Sequence, residues 1–225
     1  MTRNITIFLA FLALLQLLSA RHLTDYTKPI RCPFLQCCCC SHFVYALDES
    51  GSMRGSRWNT LVSTMAAVPG QIGNNGRKHY MTTYEFSGEA KNPNFFHRPP
   101  SQFFTGILGH DSGGTDFNSA LTKAISIISG YMSENTCFFM ITDGLSNFST
   151  VTANLFDSIL ERIRRNGCRA CAYCYFIKSF PNTKIPTQFQ RLCIQIGASI
   201  RNVLVSQFVD QFAADQRAAV AQFVR

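Results

Sequence analysis

The sequence lacks the common catalytic signatures. It has no glycine-rich Walker A loop to cradle phosphates and no His-Glu-x-x-His pair of a zinc protease. Gly144-Leu145-Ser146-Asn147-Phe148 starts like a nucleophile elbow but misses its closing glycine. The five histidines are scattered, and no general base stands beside a nucleophile. Internal repeats and low-complexity tracts are also missing, which excludes a solenoid. Past the first twenty residues, no apolar run is long enough to span a membrane. Acidic residues are few, 13 against 21 lysines and arginines, for a net charge of +8. That balance favours acidic partners or anionic surfaces. Apart from Arg162, Arg164 and Arg165, however, the basic residues are dispersed, and aromatics do not interleave with them. Nucleic-acid binding is therefore not expected.

What the chain does have begins at its N-terminus. Arg3 provides a short cationic start, Ile5 to Leu18 is almost wholly apolar, and Ser19-Ala20 closes the run with small residues. This is the pattern of a secretory signal peptide over residues 1–20. The alternative is an uncleaved membrane anchor over residues 5–18, a run shorter than the roughly 20 residues a spanning helix needs. Residues 21–40 form a cysteine-rich lead-in ending in Cys37-Cys38-Cys39-Cys40. Ten cysteines are many for 225 residues, and none lies in the leader. In a secreted chain, disulfides become the default expectation. Palmitoylation of the four-cysteine run would matter only for an uncleaved, cytoplasm-facing anchor.

From residue 41 onward, β-forming runs alternate with helical spacings. Strands are predicted near His42–Leu47, His79–Ser87, Cys137–Ile141, 170–177 and 202–205, with a short edge strand near Phe95-Phe96. Trp58, Leu61, Val62, Met65 and Val68 fall on one helical face, and Pro69-Gly70 should stop that helix. Further helices are predicted over about 116–131, 152–165, 187–194 and 206–223. Alternating strands and helices imply βαβ units, hence a parallel sheet covered on both faces and one α/β domain over 41–225.

One stretch organises the rest. Phe43-Val44-Tyr45-Ala46-Leu47 is an apolar run typical of a strand buried on both faces, and it stops at Asp48-Glu49-Ser50-Gly51-Ser52. Asp48, Ser50 and Ser52 offer three oxygens from a loop at the strand's carboxyl end, where open α/β sheets bind ligands. Oxygen donors suit Mg²⁺ or Mn²⁺. The alternative is a strand-to-helix turn capped by serines. Two more loops supply oxygens in matching places. Gly113-Gly114-Thr115 puts a hydroxyl just before a helix, where it could also be a simple cap. Asp143-Gly144 ends a buried strand, and a carboxylate there calls for a cation or a donor.

Asp-x-Ser-x-Ser, a threonine in a loop before a helix, and Thr-Asp-Gly closing the fourth strand occur here in that order. Together they resemble the metal-ion-dependent adhesion site of von Willebrand factor type A domains, over roughly 185 residues. The resemblance implies a doubly wound, Rossmann-like, mostly parallel six-stranded sheet in the order 3-2-1-4-5-6 with one antiparallel edge strand. It implies that Ser50 and Ser52 bind the cation directly and that Thr115 does so in the ligand-competent state. Asp48 and Asp143 would act largely through water. The expected function is a secreted, metal-dependent adhesion-type module whose Mg²⁺ (or Mn²⁺) receives an Asp or Glu of a partner protein, and not an enzyme. The alternatives are a disulfide-linked matrix component stabilised by its metal, and a metal-dependent hydrolase. A haloacid-type hydrolase would need an aspartate at position 50.

With that strand order, Cys40, Cys137 and Cys168 fall at the sheet edge opposite the metal, so Cys40–Cys137 or Cys137–Cys168 pairing is expected. Cys168-x-x-Cys171-x-x-Cys174 is not expected to hold a metal cluster, because its spacing sends Cys171 and Cys174 to opposite faces of a strand. Asn147-Phe148-Ser149 is a glycosylation acceptor pattern beside the metal face. Asp116 is expected to be a first-turn helix charge. Glu49 and His110 are expected to face solvent.

Overall fold

The computed structural model describes residues 40–73, 78–111 and 113–224. The expected signal peptide (1–20) and the lead-in up to Cys39 lie outside them. β1 (Cys40–Asp48) is buried along almost its whole length and is followed by a 3₁₀ turn, Gly51–Met53. Then come α1 (Ser56–Ile72), β2 (Lys78–Phe86), β3 (Phe95–Arg98) and two more 3₁₀ turns. α2 (Phe117–Ser129), β4 (Asn135–Thr142), α3 (Thr150–Arg165), β5 (Ala170–Lys178), α4 (Thr187–Gln195), β6 (Ser199–Leu204) and α5 (Val205–Val224) complete the chain.

The six strands form one sheet in the order β3-β2-β1-β4-β5-β6. Only β3 runs antiparallel, on the edge of β2. The central strands alternate their side chains between two cores. Val44, Ala46, Phe138 and Met140 face a layer built by α2, α3 and α4. Phe43, Tyr45, Leu47, Phe139 and Ile141 face α1 and α5. Both faces are covered, which is why these strands read as unbroken apolar runs and not as alternating ones. Each fully buried Phe or Leu side chain stabilises the fold by about 1.5–3 kcal/mol relative to an exposed one.

Two expectations need correction. α1 does not stop at Pro69-Gly70; it carries Pro69 inside and ends at Gly73, whose φ of +67° closes it. Proline gives up its own N–H bond and presses its ring on the carbonyl four residues back. The helix runs on despite this because its last turn is anchored by buried Ile72. Cys137 pairs with Cys171 and not with Cys40 or Cys168 (S–S 2.06 Å, Cα–Cα 4.6 Å). These two residues sit directly opposite each other in the β4–β5 register, so both side chains leave the sheet on the same face. Cys168 is disulfide-bonded as well. Cys174 points to the other core as a buried thiol, so the Cys-x-x-Cys-x-x-Cys run is no metal cluster.

α5 is attached through polar groups as well as packing. The Tyr45 hydroxyl donates to Gln216 Oε1 and the Tyr175 hydroxyl to Asp215 Oδ2, each at 2.8 Å. Arg201 of β6 grips Asp215 with two bonds of 2.8 and 2.7 Å. Among the described residues, no helix is long and apolar enough to cross a membrane.

Candidate metal centre

The carboxyl ends of β1 and β4 bring Asp48, Ser50, Ser52, Thr115 and Asp143 into one cluster. Asp48 is fully buried, and both its oxygens are occupied. Oδ1 accepts from the Ser50 backbone N–H at 2.8 Å, and Oδ2 takes a very short bond from the Thr142 hydroxyl. Burial pushes the Asp48 pKa up to about 6 against the pull of these donors, and the nearby Asp143 charge raises it further.

Ser50 and Ser52 stand with their hydroxyl oxygens 3.1 Å apart, and Ser52 Oγ donates to Asp143 Oδ1 at 2.7 Å. Neither serine is a helix cap, because the 3₁₀ turn after Ser50 has no side-chain cap bond. Thr115 is freed in the same way. The cap of α2 is Asp116, whose carboxylate accepts from Asn118 N at 2.8 Å. Asp116 is thus a helix-terminal charge, as its position suggested. Gly144 explains how closely the three loops meet: a β-carbon there would lie 2.5 Å from Thr115 Oγ1 and 3.3 Å from Asp48 Oδ2. Backbone bonds fix the loops to one another, from Gly51 N to Gly113 O (3.1 Å) and from Asp116 N to Ser87 O (2.6 Å).

The donor set suits a hard divalent cation. Neighbouring ligands of an octahedral Mg²⁺ with bonds of 2.0–2.1 Å stand about 2.9 Å apart. The separation of the two expected direct ligands, Ser50 and Ser52, is 3.1 Å, close to that edge. Two carboxylates and three hydroxyls, without sulfur or nitrogen, are the donor chemistry that hard cations take in preference to softer metals.

Three features of the site were not legible in the sequence. Arg57, in the first turn of α1, pairs with Asp143 Oδ2 at 2.5 Å and donates to Ser52 O at 2.6 Å. An arginine at a helix start gives no signal apart from a solvated charge. Thr142 belongs to the Thr-Asp-Gly that closes the fourth strand, yet its hydroxyl also accepts from Gly144 N at 2.9 Å and so holds both Asp48 and the turn. Glu49 is fully buried rather than solvent-facing. Its N–H bonds Phe86 O at 2.9 Å, continuing the β1–β2 ladder and turning the side chain inward. There it meets Lys91 Nζ at 2.7 Å and Asp111 N at 3.1 Å. Beside it Glu85, pushed up to about 7 by burial, accepts from Gly109 N at 2.6 Å. His110 is half-buried, its ring edge-on to Trp58 at 5.2 Å, because that indole offers the loop an apolar wall.

Asn147 is exposed and borders an open groove of about 620 Å³ shared with Phe148, Gln188, Arg191 and Ile194. Its Oδ1 accepts from Gln188 Nε2 at 2.8 Å. Leu145, two residues past Asp143, is 66% exposed.

No protein-family model matches the sequence, and no curated protein is similar to it in sequence. Solved structures do match. The chain superposes on a von Willebrand factor type A protein of Catenulispora acidiphila with a TM-score of 0.59 at 15% identity. This covers 80% of the chain and 42% of that protein. The von Willebrand factor domain of the pilus tip protein Mfa5 of Porphyromonas gingivalis gives 0.62 at 8% identity, over 82% of this chain and 96% of that domain. Proximal thread matrix protein 1 of the mussel byssus gives 0.58 at 12%, covering 83% of this chain and 48% of that protein.

The fold is that of a von Willebrand factor type A domain. The chain spans less than half of the Catenulispora acidiphila and byssal proteins just named. The agreement lies in architecture, since identities of 8–15% show the fold alone.

Proposed function

We propose that this VWA fold is a secreted, divalent-metal-dependent protein-binding module, not an enzyme. In this reading Ser50 and Ser52 bind Mg²⁺ or Mn²⁺ directly, Thr115 joins them, and Asp48 and Asp143 act largely through water. The observation that carries it is the convergence of oxygens from three loops at the carboxyl edge. Ser50, Ser52 and Asp143 stand in one hydrogen-bonded row, Thr115 and Asp48 meet at Gly144, and Asp116 takes over the cap that Thr115 would otherwise supply. That Asp48 already has both oxygens engaged supports its indirect role. With few direct anionic ligands, the bound ion would stay electrophilic and attract a partner's Asp or Glu carboxylate. Exposed Leu145 at the rim would supply apolar contact to such a partner. A glycan on Asn147 would flank the same face and restrict access.

Metal binding is tested directly by Mn²⁺ titration followed through water-proton relaxation. Wild type should take up one equivalent at this site. Ser50→Ala/Ser52→Ala should fold but lose at least about tenfold in affinity, since two of the direct ligands go. Retention of an acidic-peptide column by the wild type should be Mg²⁺-dependent. Equal Mn²⁺ binding by the double variant would sink the proposal.

A second reading, a disulfide-linked structural component whose metal only stabilises it, is favoured by the Cys137–Cys171 bridge and the likeness to a byssal matrix protein. It predicts intermolecular disulfides on non-reducing gels, and a metal effect on melting temperature without any on partner binding.

A further inference from the structure

At the opposite end of β1, about 20 Å from Asp48 at 3.3 Å per residue, lies a second cluster. His42, near the start of β1, His97 on β3 and Glu134 just ahead of β4 each bring one ligand atom within 4.8 Å of the others. We propose that these three residues form a Zn²⁺ site, independent of the oxygen cluster at the carboxyl edge.

Four observations support it. Two imidazoles and a carboxylate are a donor set that zinc takes with a water as fourth ligand. His42 is fully buried; its Nε2 bonds Thr82 Oγ1 at 2.7 Å, while its Nδ1 has no hydrogen-bond partner among the described residues. If Nε2–H donates to Thr82, Nδ1 carries a free lone pair, the tautomer that a metal-bound histidine adopts when an outer oxygen orients it. A buried imidazole nitrogen without a partner otherwise forfeits the hydrogen bond it had in water.

His97 is held at φ +43°, the single non-glycine residue with positive φ among those described. Strained backbone of this kind persists where the surroundings fix a side chain for a purpose. Here Tyr80 and Tyr131 stack on its two sides at 4.1 and 3.8 Å, its N–H bonds Thr82 Oγ1 at 3.0 Å, and its Nε2 lies 3.0 Å from Glu134 Oε2. Thr82 thus orients both histidines.

Finally, the site is reachable. The side chains of His97 and Glu134 are 16% and 14% exposed, enough for an ion and its water to enter. Tetrahedral ligands at 2.0–2.1 Å stand about 3.3 Å apart. The His97–Glu134 side already meets that spacing at 3.0 Å, and the sides to His42, within 4.8 Å, would shorten on binding.

The test uses metal-stripped full-length protein titrated with Zn²⁺ in excess Mg²⁺ against a chromophoric chelator. Wild type should retain one zinc, and so should Ser50→Ala/Ser52→Ala. His97→Gly, which relaxes the strained backbone, and the near-isosteric Glu134→Gln should each weaken uptake by at least about tenfold. A wild type that takes up no zinc would overturn the proposal. So would uptake unchanged in both variants, which would mean that the histidine and glutamate are only an ion pair boxed by tyrosines or that thiols bind the metal. Loss of Mn²⁺ binding with zinc retained would count against the oxygen site alone.

Discussion

Arg57 is the residue whose role in the oxygen cluster is easiest to isolate. Its guanidinium pairs with Asp143 while its chain packs at the first turn of α1, so a single substitution removes charge without opening the core. A positive charge a few ångströms from a divalent ion costs that ion at least about 1 kcal/mol even in water-like surroundings. Arg57→Ala should therefore tighten Mg²⁺ binding by roughly fivefold or more, read as a larger Mg²⁺-induced rise in melting temperature than in wild type. A weaker response would mean that Arg57 positions Asp143 instead of competing for it. The five candidate residues were visible in the sequence because Asp48 and Asp143 end apolar runs and Ser50, Ser52 and Thr115 lie in loops leading into helices. Arg57 and Glu49 were not, because only the folded loop brings Asp143 and Lys91 to them.

At the scale of elements, α5 depends on Asp215. Burial opposes ionisation of this carboxylate, but bonds from Arg201, Tyr175 and Gln211 outweigh it and hold the pKa below the usual aspartate value. A lowered folded pKa means that the contribution is present above the unfolded value near 4 and is lost as pH falls through the still lower folded value. Asp215→Asn should cost about 1–2 kcal/mol at neutral pH, at the low end for a charged bond because Arg201 is a third exposed. It should also flatten the acid limb of a stability-versus-pH curve below about pH 4, measured by urea unfolding. An unchanged acid limb would remove Asp215 from the account. Strand and helix positions were legible because both core faces impose their periods on the sequence. The end of α1 was misread because proline was taken as a stop, although buried Ile72 lies one turn further on. The histidine cluster was illegible for another reason. Positions 42, 97 and 134 belong to three strands or strand entries, and only β3 folding back along β2 brings them together.

For the whole molecule, the strongest constraint beyond packing is covalent. Cys137 and Cys171 close a stretch of 34 residues that includes all of α3. In the chain-entropy picture such a loop stabilises by about 3–4 kcal/mol. Cys137→Ser/Cys171→Ser, which leaves the Cys168 bridge intact, should then lower the melting temperature by roughly 2–4 °C per kcal/mol in a domain of this size, without changing the strand order. Reduction should lower it at least as much. A melting temperature indifferent to reductant would show that the bridge adds nothing to the folded state. The doubly wound sheet was anticipated from alternation and motif order, but the bridge was not. Cysteine pairing depends on register across β4 and β5, which a one-residue slip would reverse.

β1 joins two chemically opposite ends. Asp48 closes it among oxygen donors, and His42 opens it among imidazoles. With both proposed sites loaded, a general chelator such as EDTA would strip hard and borderline ions alike, and one loss of function after chelation would have two origins. Repletion would separate them: magnesium would restore whatever belongs to the hydroxyl loops, and a trace of zinc whatever belongs to the histidine end.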